Sequence, residues 1–313
     1  MSRPKIIFAG TPEFAVASLD TLLQLDVDIV TVYCQPDRPA GRGRATRKCP
    51  VKIRAERSSL VVRQPHKLDS EAVDDLLSLR ADLMIVVAYG LILPARVIDG
   101  LPLGCVNVHA SLLPRWRGAA PIQRAIEAGD VETGITLMRM DRGLDTGPML
   151  SQVSTPVTHL DTTGSLHDRL SSIGALLLAD NLSAILEDRL QARPQDNAEA
   201  IYAARIDRQS AHIDWTLPAS TIERQIRAFN PWPICWSNSD TGVLRLFAAE
   251  VDTTATSNKA DPGHIIALGE NRITVACGQN SLAISELQKP GGKRLQTRDF
   301  LNGTPLRIGQ KLD

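Results

Sequence analysis

Leu83-Met84-Ile85-Val86-Val87-Ala88 is an unbroken apolar run, entered from Asp82 and left through Tyr89-Gly90. Six residues is strand length, and the β-branched centre favours an extended chain over a helix. A strand with no polar face needs apolar cover on both sides, which a parallel sheet flanked by helices supplies. Working outward, residues 5–9 (KIIFA), 28–33 (DIVTVY) and 105–108 (CVNV) are further short runs of the same kind. Between them lie helical patterns: Phe14, Ala17, Leu19, Leu22 and Leu23 after the first run, and a charged amphipathic stretch over 69–79 before Leu83. Strands alternating with helices predict an α/β fold with a doubly wound, mostly parallel sheet. Ligands in such sheets bind beyond the carboxyl ends of the strands. That directs attention to residues 10–12, 89–94 and 109–121. The first of these, Gly10-Thr11-Pro12, lacks the G-x-G-x-x-G pattern, so a dinucleotide site is not expected.

The character changes later in the chain. Residues 162–190 carry Leu166, Leu170, Ile173, Leu177, Leu182, Ile185 and Leu190 at near-helical spacing, predicting one long amphipathic helix. The polar stretch 191–199 breaks that pattern and reads as a linker. Short strand-like runs follow at 244–251, 264–268, 272–277 and 282–287, separated by Gly, Asn and Asp turns. They predict a small antiparallel barrel or sandwich, compatible with the five-stranded oligonucleotide-binding type. A helix over 220–229 is stopped by Asn230-Pro231-Trp232-Pro233. The expected organisation is a first domain over 1–190, a linker over 191–205 and a second domain over 206–313. Trp215, Trp232 and Trp236 are expected in its core.

Of 313 residues, 43% are hydrophobic and 22% charged, ordinary globular values that exclude a disordered or collagen-like chain. No stretch approaches 18 uncharged apolar residues, and the opening MSRPKIIF is too short in its apolar part for a signal peptide. A cytoplasmic protein without a membrane partner is expected, and no heptad pattern demands an oligomer, so a monomer is expected too. The five cysteines (34, 49, 105, 235 and 277) are scattered with no CxxC, which argues against a disulfide framework or a zinc site. No metal is expected. Net charge is zero, but Arg38, Arg42, Arg44, Arg47, Lys48, Lys52 and Arg54 form a run containing no acidic residue. Such local concentration suggests contact with a polyanion, the plain alternative being a solvated loop. Lys289, Lys293, Arg294 and Arg298 form a second basic group. From residue 206 onward there are 12 basic and 11 acidic residues, so any nucleic-acid contact there must use one face.

Asn107 and His109 sit two apart at a strand end, so both side chains project to the same side. An amide donor beside an imidazole can polarise a carbonyl and move protons near neutrality. Asp145, in the glycine-bounded turn DRGLDTG, is the best third group to orient the imidazole. Taken alone the three could equally be a turn residue, a buried histidine and a loop cap. Ser111-Leu112-Leu113-Pro114 adds an apolar loop with a fixed bend, suited to the edge of a flat ring. There is no G-x-S-x-G elbow, P-loop or H-E-x-x-H, which removes the readings as serine hydrolase, kinase and zinc peptidase.

Asn107-Val108-His109-Ala110-Ser111-Leu112-Leu113-Pro114 with the later Asp145 resembles the core of the folate-dependent formyltransferases. FAGTP (8–12), QPDRPAGRG (35–43), VAYGLILP (87–94), LPRWRGAAPI (113–122) and RAFNPWP (227–233) extend the resemblance over essentially the whole chain, toward the bacterial methionyl-tRNA formyltransferase branch. N-x-H and SLLP mark only the superfamily; QPDRPAGRG together with RAFNPWP marks the tRNA-directed branch. Ala110 stands where that family often has glycine. The resemblance implies a Rossmann-like catalytic domain and a C-terminal oligonucleotide-binding-like barrel. It implies transfer of a formyl group from 10-formyltetrahydrofolate to the α-amino group of initiator methionyl-tRNA, with Asn107, His109 and Asp145 catalytic. Ser111, Leu112, Leu113 and Pro114 would line the tetrahydrofolate site, with Tyr89, Gly90 and Leu91 nearby. Arg42, between two glycines, would be the leading tRNA contact, supported by Arg38, Arg44, Arg47, Lys48, Lys289, Lys293 and Arg294. The rivals are a formyltransferase acting on a sugar-nucleotide amine, a folate- or RNA-binding module without catalysis, and a hydrolase releasing formate.

Overall fold

The computed structural model describes residues 3–40, 45–240, 242–253 and 260–313. Seven strands form the first sheet: β1 (Lys5–Gly10), β2 (Asp28–Tyr33), β3 (Val62–Arg63), β4 (Leu83–Val87), β5 (Cys105–His109), β6 (Glu132–Arg139) and β7 (Met149–Pro156). Their spatial order is β7-β6-β5-β4-β1-β2-β3. The pairs β1–β2, β1–β4, β2–β3 and β4–β5 are parallel, while β6 and β7 run antiparallel at one edge. β4 is the opening apolar run, and all five of its residues are buried. The order reverses at β1, so the crevice at a topological switch point lies beside β1 and β4. The antiparallel edge is an addition to the reading, because Glu132–Arg139 (ETGITLMR) carries too mixed a pattern to declare itself a strand.

Helices α1 (Val16–Gln24), α2 (Pro50–Arg57), α3 (Ser70–Ser78) and α4 (Thr163–Leu186) accompany this sheet. Their starts follow capping chemistry. Asp69 accepts from the Ala72 N–H at 3.2 Å before α3, and Cys49 Sγ accepts from the Lys52 N–H at 3.4 Å before α2, with Pro50 in its first turn. Along α4, Leu166, Leu170, Gly174, Leu178, Leu182 and Ile185 form a buried stripe at three- and four-residue spacing. By length and composition α4 could also cross a membrane, but this stripe is that of a core helix. A Cβ added to Gly174 would meet Val108 Cγ1 at 3.0 Å, so the glycine lets α4 lie close to β5. That contact supports the opposite face of the strand carrying Asn107 and His109.

The chain divides into two compact units: 1–121, 132–156 and 167–203, and then 122–131, 157–166 and 204–313. The polar stretch read as a linker is bound within the first. Arg193 exchanges two 2.8 Å backbone hydrogen bonds with Met149, and Gln195 reaches into the site described below. Polar side chains that bond inward look the same in sequence as polar side chains that face water.

The second unit contains one antiparallel sheet of six strands: β8 (Cys235–Ser239), β9 (Gly242–Asp252), β10 (Ile265–Leu268), β11 (Ile273–Ala276), β12 (Ser281–Gln288) and β13 (Leu295–Gln296). The order is β8-β9-β12-β11-β10, with β13 also on β12. Register shifts near Ala248 bend β9, which pairs with both β8 and β12. Helix α5 (Ala219–Ala228) buries Ala219, Ile222, Ile226 and Ala228.

Candidate active site

Asn107 and His109 close β5, opposite Met138 and Thr136 of β6. They are 9% and 6% exposed, on the side of the strand that Val106 and Val108 do not take. Asp145 arrives from the loop between β6 and β7 with φ of +53°, a left-handed conformation uncommon for a residue with a side chain. Gln195 holds it there: its Nε2 donates to the Asp145 carbonyl at 2.9 Å and to the Gly147 carbonyl at 2.7 Å. The Gly118 N–H donates to Asp145 Oδ2 at 2.8 Å, and Asn107 Nδ2 donates to Oδ1 at 3.4 Å. His109 Nδ1 lies 3.7 Å from Oδ2. The three residues singled out from sequence therefore converge, on a carboxylate also fixed by a backbone amide.

The other imidazole nitrogen faces inward as well, with His109 Nε2 3.0 Å from the Trp116 carbonyl oxygen. Nε2 must carry the hydrogen to engage a carbonyl. An imidazolium here would have both N–H groups directed at oxygens. Trp116 itself has φ of +64°. Gly118 has φ of +115°, and a Cβ on it would stand 2.9 Å from the Ala203 carbonyl. Glycine is thus required where the Asp145 donor sits.

The SLLP loop is pinned from β6 and β7. Thr136 Oγ1 donates to the Ser111 carbonyl at 2.7 Å and accepts from the Leu113 N–H at 3.1 Å. Gln152 Nε2 donates to the Leu113 carbonyl and to Thr136 Oγ1, both at 2.9 Å. Ser111 Oγ donates to the Arg115 carbonyl at 2.6 Å, and the Leu113–Pro114 peptide is cis. Across the switch point, Thr11 Oγ1 donates to the Tyr89 carbonyl at 2.9 Å and accepts from the Gln35 N–H at 3.1 Å. Gln35 Nε2 donates to the Gly90 carbonyl at 2.8 Å. The three loops after β1, β2 and β4 are stitched together in this way. Tyr89 is buried, which raises its phenol above the ordinary value, while Gly90 has φ of +84° and Ile92 is 93% exposed.

Thr136, Gln152, Gln195, Thr11 and Gln35 escaped the reading because each acts on backbone atoms of residues distant in sequence. Arg117 did too. It is 1% exposed, its Nε donates to Gln195 Oε1 at 2.9 Å and its Nη1 to Asn197 Oδ1 at 3.0 Å. Arg117 therefore holds the glutamine that holds Asp145. Among the described residues no group of three or more His, Cys, Asp or Glu is arranged around a metal position.

The basic run is less free than its composition suggested. Lys52 pairs with Asp37 at 2.6 Å, Lys48 with Glu56 at 2.7 Å, and Arg54 with Asp20. Arg38 and Arg47 stay exposed and lie directly opposite each other in the hairpin of Arg38–Ala40 with Ala45–Arg47. Arg42 and Arg44 lie outside the described residues. In the second unit Lys289 donates to Thr304 Oγ1 at 3.3 Å and Lys293 is exposed. Arg294 is paired with Glu286, and its guanidinium carbon lies 4.6 Å from the Phe247 ring centroid. Trp215 is a core residue as expected, donating to Ser237 Oγ at 2.9 Å, and Trp236 is half-buried. Trp232 departs from expectation at 49% exposed, because the prolines flanking it carry the chain over the surface.

Residues 4–182 match the formyl transferase family, and residues 205–305 match the formyl transferase C-terminal domain. The methionyl-tRNA formyltransferase of Pseudomonas fluorescens (strain SBW25) is 50% identical over 304 residues, covering 96% of this chain and 95% of the relative. That of Hahella chejuensis is 49% identical over 319 residues, covering 100% and 99%. Among solved structures, an N-formyltransferase from Helicobacter canadensis in complex with folinic acid and dTDP-3-aminofucose has the same fold. Its TM-score is 0.68 at 18% identity, covering 93% of this chain and 100% of the other. With two domain models matching in order and half of all residues identical over the full length of such relatives, the chain belongs to the methionyl-tRNA formyltransferase family of formyl-transferring enzymes.

Proposed function

We propose that this protein transfers the formyl group of 10-formyltetrahydrofolate to the α-amino group of methionine on initiator tRNA, with Asn107, His109 and Asp145 as its catalytic residues. The observation that carries the reading is the convergence of those side chains at the end of β5, two of them within hydrogen-bond or ion-pair range of one carboxylate. Catalysis is assigned to residues 1–190 and RNA contact to the basic segment after β2 and to residues 206–313. The protein is taken to act as a monomer in the cytoplasm, where translation uses the product.

The folate would lie along Ser111–Pro114 and the loop at Tyr89, Gly90 and Leu91. The fit rests on chemistry present there. Ile92 and Leu144 are large apolar side chains left 93% and 61% exposed on two loops of this sheet edge, as a flat ring needs for cover. The backbone of 111–114 is fixed by Thr136 and Gln152, so its remaining polar groups stand ready without reorganisation.

The amine must be neutral to attack, because a protonated nitrogen has no lone pair. As it bonds to the formyl carbon, negative charge grows on the formyl oxygen. Asn107 Nδ2 has a second N–H beyond the one given to Asp145, and this together with the His109 Nε2–H, which turns from the Trp116 carbonyl, would donate to that charge in a site of low dielectric. Asp145 orients His109 through the side of the ring that carries Nδ1. His109 takes the proton that the attacking nitrogen gives up and passes it to the folate nitrogen as the carbon–nitrogen bond breaks. Gln195, held by Arg117, acts one step back as a positioning residue.

For RNA, the supporting feature is the rung of Arg38 opposite Arg47. Like charges directly across a hairpin repel, and a phosphate between them removes the penalty. Phosphate contacts of this kind position the acceptor stem without reading its sequence. Formylation assays with methionine-charged initiator and elongator tRNA test the proposal. Rapid product with the initiator species alone is expected. Transfer to an amino-sugar nucleotide, or formate release without an acceptor, would overturn the RNA substrate and leave the catalytic triad standing.

A further inference from the structure

Cys34 directly follows β2 and Cys49 caps α2, fifteen positions later in the chain. Thr11 accepts from the Gln35 N–H on its hydroxyl at 3.1 Å and from the Val51 N–H on its carbonyl at 3.5 Å, which brings these two scattered cysteines side by side, each thiol acting on the other. Their surroundings are rigid. Gln64 Nε2 donates to the Gln35 carbonyl at 2.7 Å and to Asp37 Oδ1 at 2.8 Å, and Lys52 Nζ donates to Gln64 Oε1 and Asp37 Oδ2, both at 2.6 Å. These contacts tie the chain after Cys34 to the start of the helix that Cys49 caps. The two thiols differ in access: Cys34 is fully buried, and Cys49 is partly exposed.

We propose that Cys34 and Cys49 form a reversible thiol–disulfide site that a low-molecular-mass disulfide of the glutathione type oxidises. The Cys49 thiolate attacks one sulfur of that disulfide, forming a mixed disulfide and releasing one glutathione thiolate. Cys34 then attacks the Cys49 sulfur, its proton passing to the departing glutathione sulfur, which forms the Cys34–Cys49 bond and releases the second glutathione as a thiol. Two protein thiols are oxidised by two electrons, and one small disulfide is reduced to two thiols. Forming that bond brings the two sulfurs to about 2 Å.

The division of roles follows from the environment. The hydrogen bond from Cys34 pulls the Cys49 thiol down to about 7, against the effect of burial, and the Lys52 N–H and the Lys52 charge add to it. The same bond and burial push Cys34 well up. Cys49 is thus the attacking thiol, and its reaction should quicken as pH rises through about 7. Cys105, by contrast, is buried and pushed up to about 12, and Cys235 and Cys277 are buried with their thiols raised too. Closing the bond makes a ring of residues 34–49 that contains Arg38, Arg47 and Lys48. Its effect on the RNA reaction rests on the function proposed above.

The test is mass spectrometry of the native, full-length protein equilibrated with excess oxidised glutathione, then digested without reduction. Wild type should give a Cys34–Cys49 linked peptide that dithiothreitol removes. Cys34→Ala should stop at glutathione on Cys49. Cys49→Ser should give neither, and serine at a helix N-cap keeps that variant folded. Absence of the linked peptide in wild type, or glutathione on Cys49 no faster than on Cys105, overturns the proposal. A linked peptide formed with no change in KM for charged tRNA would overturn only the RNA role of the segment.

Discussion

Two loops leave neighbouring parts of the same sheet and are built on opposite plans. After β5, residues 109–118 are fixed at nearly every step: by Thr136, by Gln152, by the Ser111 hydroxyl, and by the Gly118 amide on Asp145. After β2, the described residues leading to α2 are tied by Gln64 on Gln35 and Asp37 and by Lys48 and Lys52 on acids. The hairpin among them holds two arginines on one rung. The difference teaches what each task requires. A charge developing on one oxygen must meet donors already in place, since a misplacement of about 1 Å can cost a hundredfold. A phosphate backbone is attracted by charge over longer range and tolerates a looser presentation.

The comparison breaks first at the imidazole. His109→Ala should lower kcat by roughly a hundredfold to ten-thousandfold, and Asn107→Ala by roughly a hundredfold to a thousandfold, with thermal unfolding little changed. Steady-state assays beside a melting curve check this. Near-normal turnover in both would show that the rigid loop serves something other than this reaction. Gln152→Leu tests rigidity itself. It leaves the Leu113 carbonyl and Thr136 hydroxyl short of a partner, at a cost of about 2 kcal/mol in unfolding free energy. A fall in kcat of roughly tenfold is expected as the loop slackens. Gln195→Met should act similarly but more weakly, shifting kcat and its pH profile without changing KM for tRNA. If KM for tRNA moves instead, Gln195 serves the RNA and not the carboxylate.

The strands that align both loops were legible because burial on both faces leaves an unmistakable apolar run, as at Leu83–Val87. Asn107 and His109 were legible for a different reason: two residues apart on a strand is a geometric statement. Asp145 could be nominated from its glycine-rich turn, but nothing in the turn reveals the left-handed φ or the Gln195 that holds it. Polar residues such as Thr136 and Gln195 stay hidden because their partners are backbone atoms far along the chain. The seven-residue basic run misled in the same way. Its composition shows no acid, yet Asp20, Asp37 and Glu56 come from outside it and neutralise three of its cations. Charge counted along a sequence is not charge presented on a surface.

That distinction yields the finest discrimination between the loops. An arginine that contacts phosphate releases condensed counterions when it binds, so its loss lowers the slope of log affinity against log salt by about 0.7 to 0.9. Arg38→Ala and Arg47→Ala should each do this for charged tRNA while leaving KM for the folate unchanged. Arg54→Ala removes the same charge from the same run, but its guanidinium already faces Asp20, so its slope should match that of wild type. The three variants carry equal changes in net charge, and salt titrations separate them only if the pairing seen in the fold persists in solution. Equal slopes for all three would mean that the segment acts as an undifferentiated basic cloud and that the exposed rung has no special part. A lowered slope for Arg38 and Arg47 alone ties RNA binding to the hairpin and leaves the loop after β5 to chemistry.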